Sequence, residues 1–390
     1  MWCKYFSSSL DKNAYLDHSS TSQMPLHILE VMQTYDTQYR ANIGRGVYDW
    51  ASKTTMDYEQ ARATIANCMG ALSDEIVFTY GATDGLNMIS ESLATQWVKK
   101  DQVILVSPLE HHANLLPWQR IAKKNNAEIV LLPLNSCYQI DYDQFSLMLK
   151  NLPVAMIAVT HMSNVTGTVF DIKRICTLAK EIPVIVDGTQ ATSHLSINLH
   201  DLGCAAYVWS AHKMYGPTGV GALYIAAKYH DDIKPYRLGG GMIVDVSYHK
   251  ARYLQGARKL EAGTPPISSV MGFAKAHEFL FLEVSQMHRY ELALMDKVKV
   301  VLKRYPVVAY SSESSVVCSF EYQDVHAHDV ATILANNKVM VRSGHHCCMP
   351  FMSYLGVSAL SRVSLGCYNT DNNIDQLDKA MQNISEVLKL

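Results

Sequence analysis

The sequence predicts an α/β protein in which a large domain with a mostly parallel seven-stranded sheet precedes a smaller α+β domain. The first indication is that seven short apolar runs alternate with amphipathic stretches between residues 75 and 227. The second is that these runs are apolar at nearly every position, which is typical of strands buried on both faces of a sheet. The third is a change of pattern after residue 263, where longer helical stretches replace the regular alternation.

The seven apolar runs have the length and the β-branched content of strands. They cover residues 75–80, 102–107, 128–134, 154–160, 182–187, 205–210 and 221–227. A helix is predicted between two of them, because Ile172, Ile175 and Ala179 recur on one helical face. Asp171 precedes this face and is a suitable N-cap.

The chain after Gly263 is predicted to form the smaller domain. Its elements are a long helical stretch over 267–304, a strand at 315–322, a helix near 327–336, a strand at 337–343 and a C-terminal helix from Asp371. We therefore expect an N-terminal arm (1–14), a large domain (15–262) and a small C-terminal domain (263–390).

Composition and charge argue against several classes of protein. The 390 residues include 34 Lys and Arg against 36 Asp and Glu, so the net charge of −2 gives no electrostatic reason to expect nucleic acid or a membrane as partner. No apolar run approaches the ~20 residues that span a bilayer, and the N-terminus shows no apolar signal segment. Nine cysteines without a Cys-x-x-Cys pair indicate reduced thiols. We expect a soluble cytoplasmic protein.

Polar residues follow several predicted strands, at the sheet edge where parallel sheets bind ligands. In chain order they are Thr83, His111, Asn164, Asp187, Gln190, Ser210, His212 and Lys213. A lysine can form a Schiff base, a carboxylate can hold a proton on a pyridine nitrogen, and an imidazole can stack on an aromatic ring. Hydroxyl groups and the N–H groups of a helix N-terminus can bind phosphate. Together these groups meet the requirements of pyridoxal 5′-phosphate.

These residues also have ordinary interpretations. A Gly-rich turn before a helix is most often only a turn, and a lysine after a strand is more commonly a surface side chain. The histidines and cysteines of 345–348 could bind a metal, but adjacent residues cannot easily all reach one tetrahedral ion, so we predict no metal site. Cys348 is more simply a packed side chain than a sulfur relay.

Ordered motifs along nearly the whole chain carry a resemblance to a known family. They are YLDHSSTSQMP (15–25), RGVYDWASKTT (45–55), LEHHANLLPWQ (109–119), THMSNVTGT (160–168), VDGTQATSH (186–194), SAHKMYGPTGVGALY (210–224), LGGGMI (238–243), LEAGTPPISS (260–269), VRSGHHCCMP (341–350) and SRVSLGCYNT (361–370). In these motifs the chain resembles the pyridoxal-phosphate enzymes of fold type I, class V aminotransferase superfamily. Within that superfamily it is similar to the SufS/CsdA-type (group II) cysteine desulfurases and their selenocysteine lyase relatives.

The resemblance implies pyridoxal 5′-phosphate as cofactor and assigns roles to the residues at the strand ends. Lys213 would be the catalytic Schiff-base lysine, and Asp187 would be the partner of the pyridinium nitrogen. Gln190 would contact the phenolic oxygen, and His111 would stack on the ring as a further catalytic group. The phosphate ligands would be Thr83, Ser210 and His212.

The resemblance also implies a homodimer with shared sites, because the family supplies the equivalents of Gly239 and Thr264 from the other subunit. Cys347 matches the catalytic cysteine that forms a persulfide, with His345 and His346 beside it. The residues implied to bind the substrate are Asn164, Arg342, Arg362 and Arg45.

The implied reaction converts L-cysteine, or alternatively L-selenocysteine, to L-alanine and leaves the sulfur of cysteine on Cys347 as a persulfide. A SufE-like acceptor protein would collect this sulfur for iron–sulfur cluster or other sulfur-cofactor assembly. Three alternatives stay open: a selenocysteine lyase or other class V enzyme, a transaminase, and a non-catalytic dimeric interaction protein. The last is considered because Ala82 and Gly44 replace polar residues of the family.

Overall fold

The computed structural model describes residues 2–388, which form fifteen strands and thirteen α-helices. The strands are β1 Ala14–Tyr15, β2 Ile76–Thr79, β3 Val103–Val106, β4 Glu128–Leu131, β5 Val154–Thr160, β6 Val184–Asp187, β7 Ala206–Ser210, β8 Gly221–Ile225, β9 Ile243–Val246, β10 Ala251–Tyr253, β11 Val307–Tyr310, β12 Val317–Tyr322, β13 Val339–Met340, β14 Arg342–Gly344 and β15 Leu360–Ser364. The helices are α1 Leu26–Gln38, α2 Asp49–Cys68, α3 Ala82–Ile89, α4 Thr95–Trp97, α5 Leu116–Asn125, α6 Tyr142–Asn151, α7 Ile172–Ala179, α8 Leu199–Leu202, α9 Ile267–Phe281, α10 Val284–Leu302, α11 Ala327–Asn336, α12 Met349–Leu355 and α13 Asp371–Leu388.

Strands β2 to β8 form one sheet in the order β2-β8-β7-β6-β5-β3-β4. The pairs are parallel except those made by β8, which runs antiparallel to both β2 and β7. Each of the seven strands lies within one of the seven apolar runs, so the predicted, mostly parallel, seven-stranded sheet is confirmed. The predicted cap of α7 is also present, since the Asp171 carboxylate accepts the N–H of Arg174 (3.0 Å).

Helices cover both faces of this sheet. In β7, Tyr207 and Trp209 join one apolar cluster with α2 and α9, whereas Ala206 and Val208 join another with α3 and α5. Side chains of a strand alternate between the two faces, so a strand covered on both faces is apolar at every position. This explains why the inner strands of the central sheet were predictable from the sequence; the edge strand β4 is only partly buried.

The C-terminal part contains a four-stranded antiparallel sheet in the order β11-β12-β15-β14, on which α10, α11 and α13 pack. Elements β11, α12 and β15 were not predicted, and two of the predicted elements are divided in the structure. The helical stretch 267–304 breaks at Leu282 and Glu283, because α9 packs on α1 and α2 while α10 packs on α13. The predicted strand 337–343 splits at Val341, because β13 pairs with β1 and β14 pairs with β15.

Contacts join segments on either side of the expected domain boundaries. Glu291 of α10 is hydrogen-bonded to the His194 imidazole (2.7 Å) and to the Tyr215 hydroxyl (3.2 Å), which in turn accepts the N–H of Cys367 (3.0 Å). The division into 1–14, 15–262 and 263–390 stays a prediction. Within residues 2–388, none of the helices combines the length and the apolar character that crossing a bilayer requires.

Candidate active site

A cavity of about 280 Å³ opens at the carboxyl ends of the central strands. Lys213 follows β7, Asp187 ends β6 and Asn164 follows β5, so the strand topology itself brings these residues together. Eight of the predicted site residues line this cavity: Thr83, His111, Asn164, Asp187, Gln190, Ser210, His212 and Lys213. One cavity therefore collects the lysine, the carboxylate and the candidate phosphate ligands.

The amine of Lys213 is the reactive group of the cavity. Lys213 ends a short turn, Ala211–Lys213, that directly follows β7. Burial, and secondarily the nearby Arg362 guanidinium, lower its pKa to about 8, although Asp187 and Cys347 act in the opposite direction. A lysine with this pKa is partly neutral near physiological pH, and the neutral amine is the form that attacks a carbonyl group.

Asp187 places a buried carboxylate at the end of β6. Its Oδ1 accepts the backbone N–H of Thr189 (3.0 Å). Burial raises the pKa of Asp187, and the hydrogen bonds from Thr189 and the charge of Lys213 act against the rise. A carboxylate in this position is stabilised when a cationic group occupies the cavity beside it.

Gln190 follows Asp187 in the same wall of the cavity. Its amide Nε2 donates a hydrogen bond to the carbonyl of Ser19 (2.9 Å). An amide nitrogen carries two hydrogens, so one N–H of Gln190 stays available to an acceptor in the cavity.

Helix α3 begins at the cavity and is preceded by Gly81, whose φ of +136° is a conformation that residues with a Cβ rarely adopt. The Ser210 hydroxyl accepts the backbone N–H of Ala82 (2.7 Å), and Thr83 adds a hydroxyl in the first turn. Burial lowers the pKa of His212 to about 4, so its ring is neutral. A helix N-terminus surrounded by hydroxyls is suited to an anion such as phosphate.

His111 lies on the wall of the cavity and caps the short turn His112–Asn114. Its Nδ1 accepts the N–H of Ala113 (3.0 Å), so the proton of the neutral ring is on Nε2. Burial, and then the charge of Lys213, lower the pKa of His111 to about 3. The ring is therefore neutral at physiological pH, which suits stacking on another aromatic ring.

The buried Glu110 holds the segment that carries His111, a role that the sequence pattern alone does not reveal. Its two carboxylate oxygens accept hydrogen bonds from Ser107 Oγ, Asn114 Nδ2 and the backbone N–H of Thr160, each at 2.6 Å. Burial raises the pKa of Glu110 to about 8, and these hydrogen bonds act against the rise. In the sequence, this role is indicated by a single acidic residue within the motif LEHHANLLPWQ.

Arg342 and Arg362 face each other across β14 and β15, which brings two positive charges together. Asp17 lies between them, with Oδ2 3.0 Å from Arg342 and Oδ1 3.3 Å from Arg362. The hydroxyl of Ser20, which lines the cavity, accepts from both guanidinium groups (2.9 and 2.8 Å). Asp17 and Ser20 were not predicted as site residues. The sequence feature that points to them is an acidic residue in the motif YLDHSSTSQMP, together with two arginines far away in the chain.

The guanidinium of Arg362 also reaches the wall of the cavity. One of its terminal nitrogens donates to the carbonyl of Asn164 (2.9 Å). Its Nε–H is buried and has no hydrogen-bond partner among the described residues. A buried donor without a partner is costly, so this N–H is available to an acceptor such as a substrate carboxylate.

Cys347 lies in the turn between β14 and α12, beside the cavity and not in its lining. Its side chain is exposed, and its carbonyl accepts the N–H of His112 (2.7 Å), the residue after His111. The turn is also bound to the cavity wall through the preceding residue, because Asn164 Nδ2 donates to the carbonyl of His346 (2.8 Å). A thiol from the C-terminal part of the chain thus lies at the edge of the cavity that contains the lysine.

Cys348 differs from its neighbour because it is buried. Its thiol donates to the carbonyl of Glu110 (3.1 Å), and burial raises its pKa to about 12. Cys348 is therefore a neutral, packed side chain in this structure, which agrees with the simpler of the two interpretations given above.

Comparison with known proteins decides the family. The aminotransferase class-V family model matches residues 14–377. A probable cysteine desulfurase of Halalkalibacterium halodurans is 35% identical over 380 residues, which cover 95% of this chain and 93% of that protein. The chain belongs to the class-V aminotransferase family.

Two solved structures indicate which members of the family this chain resembles. The apo structure of a cysteine desulfurase from Thermococcus onnurineus NA1 has a TM-score of 0.94 at 31% identity, covering 98% of this chain and 97% of that chain. The cysteine desulfurase CsdA (S-sulfonic acid) from Escherichia coli has a TM-score of 0.92 at 32% identity, covering 99% and 98%. The predicted resemblance to SufS/CsdA-type cysteine desulfurases, and the fold expected from it, are confirmed.

Six predicted site residues do not line the cavity of this class-V chain: Cys347, Arg342 and Arg362, which are described above, and Arg45, Gly239 and Thr264. Arg45 and Gly239 are exposed, and the hydroxyl of the exposed Thr264 accepts a hydrogen bond from Asn42 (3.2 Å). Gly239 and Thr264 are expected to act in the site of a second subunit, which a single chain does not test. Their roles and that of Arg45 stay predictions.

Among residues 2–388 of this class-V chain, one group of side chains has ligand atoms close enough together for a metal ion: His194, His288 and Glu291. His194 and Glu291 are already hydrogen-bonded to each other and fully buried. The group therefore has an ordinary role in packing, and the expectation of no metal stays a prediction.

Proposed function

We propose that the protein is a pyridoxal-phosphate-dependent cysteine desulfurase that converts L-cysteine to L-alanine and retains the sulfur on Cys347. One observation carries the proposal: an amine with a pKa lowered to about 8, Lys213, shares a cavity with a buried carboxylate and lies near an exposed thiol. The relatives named cysteine desulfurases support it.

The residues of the cavity fit pyridoxal 5′-phosphate. Lys213 is available to bind its carbonyl group, and the buried carboxylate of Asp187, on which the charge of Lys213 already acts, would pair with the pyridinium nitrogen. The N-terminus of α3 with the Ser210 hydroxyl would hold the phosphate, and the neutral His111 ring would cover one face. When bound, the cofactor supplies an electron sink for the substrate α-carbon.

Substrate binding is proposed to use Arg362. Its buried Nε–H has no hydrogen-bond partner among the described residues, and Asp17 and Ser20 hold the rest of the guanidinium in place. The amide of Asn164 donates to the carbonyl of His346 (2.8 Å), so its second N–H is the one available to a carboxylate. L-Cysteine and L-selenocysteine share this carboxylate, and the protein would accept both in the same orientation.

Sulfur transfer is proposed to occur between the substrate and Cys347. The Cys347 thiolate attacks the substrate sulfur, an S–S bond forms, and the electron pair of the breaking C–S bond stays with the carbon skeleton. Lys213 would take the proton from the substrate α-carbon and return protons to the carbon skeleton, which leaves as alanine. The atoms balance: one cysteine gives one alanine and one sulfur on Cys347.

The persulfide is proposed to pass to the thiol of a SufE-like acceptor protein, for iron–sulfur cluster or other sulfur-cofactor assembly. The exposed position of Cys347 supports a transfer to a partner that comes to the site. A homodimer is proposed because Gly239 and Thr264 do not line the cavity of their own chain. A cytoplasmic location also stays a prediction.

The test combines one spectrum with one assay. Wild type loaded with pyridoxal 5′-phosphate is expected to show a visible absorbance band that Lys213→Ala lacks, and to form alanine from L-cysteine. Cys347→Ala is expected to keep the band and lose persulfide formation. Undiminished cysteine turnover in Cys347→Ala would overturn the persulfide mechanism, and turnover of L-selenocysteine alone would indicate a selenocysteine lyase.

Two further outcomes would identify the remaining alternatives. Amino transfer to a 2-oxo acid without formation of a persulfide would indicate a transaminase. No visible band in wild type, after addition of the cofactor, would indicate a non-catalytic dimeric protein.

A further inference from the structure

The turn that carries Cys347 has an unfavourable backbone. His346 and Cys347 have φ angles of +50° and +54°, and neither is a glycine. Successive non-glycine residues in the left-handed region are rare, because each Cβ crowds the following carbonyl. Such a turn persists only where the surrounding structure holds it.

His112 contacts this turn at two points, the carbonyl of Cys347 and the N–H of Met349. Its backbone N–H donates to the carbonyl of Cys347 (2.7 Å). Its side-chain Nε2 accepts the N–H of Met349 (3.1 Å), the first residue of α12. This N–H is one of the donors that a helix leaves without an internal partner, so the imidazole caps α12 from outside.

The neighbours of His112 hold the same turn. The carbonyl of Glu110 accepts the thiol of Cys348 (3.1 Å), and His111 lines the cavity. The segment 110–112 is itself bound to the sheet through the Glu110 carboxylate. The segment 110–112 thus forms part of the cavity wall and is hydrogen-bonded to the turn, so it sets the position of the thiol relative to the cavity.

The protonation state of His112 suits this contact. An imidazole nitrogen accepts a hydrogen bond only when it carries no proton, so the proton of the neutral ring is on Nδ1. Burial, and then the neighbouring His345, lower the pKa of His112, so the accepting form is favoured. The His345 ring lies 5.7 Å from that of His112 and itself accepts the N–H of Cys347 (3.1 Å).

We infer that His112 is a positioning residue for sulfur transfer, which holds the Cys347 thiol at the cavity through the carbonyl of Cys347 and the N–H of Met349. This inference rests on the proposed function and adds a residue to it. His112 does not touch the substrate; it acts by keeping the left-handed turn in place. The side-chain contact is the part that a substitution can remove.

The test compares His112→Phe with His112→Gln. Phenylalanine keeps a ring but has no acceptor, whereas the Gln carbonyl can reach the position of Nε2 and accept the same N–H. His326→Phe is a matched control, because His326 Nδ1 also accepts a backbone N–H at the start of a helix, α11, in the same part of the chain. If His112→Phe does not fold, His112→Ala replaces it as the variant that lacks a hydrogen-bond acceptor.

Two measurements separate positioning from chemistry. In His112→Phe we expect faster amide hydrogen exchange over 346–352, and single-turnover persulfide formation about three- to tenfold slower, since one hydrogen bond corresponds to roughly that factor. The cofactor absorbance and the L-cysteine concentration at half-saturation are expected to stay unchanged. His112→Gln is expected to recover persulfide formation to within about twofold, and His326→Phe to match wild type in both measurements.

Unchanged exchange over 346–352 in His112→Phe would overturn the inference, as would slow persulfide formation in His112→Gln or in His326→Phe. A failure of the proposed function has a different signature. In that case wild type itself forms no persulfide on Cys347, while the hydrogen-exchange comparison still tests the contact of His112.

Discussion

The ion pairs of Asp17 predict how much stability the protein loses when this carboxylate is removed. In Asp17→Asn the carboxylate between Arg342 and Arg362 is replaced by a neutral amide of the same shape. The side chain of Arg362 is 3% exposed, so its charge would be left buried without a partner, which costs about 3–5 kcal/mol. The side chain of Arg342 is 52% exposed, so its ion pair adds at most about 1 kcal/mol.

This loss can be measured by thermal unfolding. An unfolding entropy of ~2.1 cal/mol/K per residue gives about 0.8 kcal/mol/K for 390 residues. The expected decrease in Tm is therefore about 4–7 °C. The control is Glu278→Gln, which removes the exposed ion pair with Lys275 on α9 and is expected to lower the Tm by at most about 1 °C.

A decrease for Asp17→Asn no larger than that of Glu278→Gln would show that Asp17 does not stabilise the buried charge of Arg362. It would mean that the two facing arginines do not depend on Asp17 for their stability. The same variant offers a second readout: because Asp17 orients Arg362, the KM for L-cysteine is expected to rise more than kcat falls.

Three further predictions concern the cavity and the cysteines. Because the pKa of Lys213 is about 8 and the neutral amine reacts, the rate at which apoprotein combines with pyridoxal 5′-phosphate should rise between pH 7 and 9 with a midpoint near 8; a flat profile by stopped-flow absorbance would contradict this. Cys348→Ala removes one buried hydrogen bond to Glu110 and should lower the free energy of unfolding by about 1 kcal/mol without slowing persulfide formation; a tenfold loss of turnover would make Cys348 a sulfur relay. Gly81→Ala places a residue with a Cβ at a φ of +136°, which costs about 1–3 kcal/mol, so the Tm and the affinity for the cofactor should both fall. An unchanged Tm and affinity would show that the start of α3 accepts a residue with a Cβ without strain.

The central sheet was predictable because local sequence decides it. A strand such as β7 is buried on both faces, so its composition alone distinguishes it from a loop. The break between α9 and α10 was not predictable, because the apolar spacing continues through Leu282 while the two helices pack on different neighbours. The split of 337–343 has the same cause, since β13 and β14 belong to different sheets.

The core of the site was predictable for a topological reason. Asp187 ends β6 and Lys213 follows the neighbouring parallel strand β7, so the order of strands along the sequence already places both residues at one edge of the sheet. Asp17 and His112 act through contacts across the chain: Asp17 with Arg362, 345 positions away, and His112 with Met349, 237 positions away. No local pattern reveals such pairs, and each becomes visible only when the chain is folded.

The most direct measurement is the mass of the peptide that contains Cys347, after the loaded protein has reacted with one equivalent of L-cysteine and its thiols have been alkylated. One additional sulfur is expected on Cys347 in wild type, formed together with one alanine. No additional sulfur is expected in Lys213→Ala. Alanine production in wild type with an unmodified Cys347, or an equal amount of added sulfur in Lys213→Ala, would rule out the proposed persulfide mechanism.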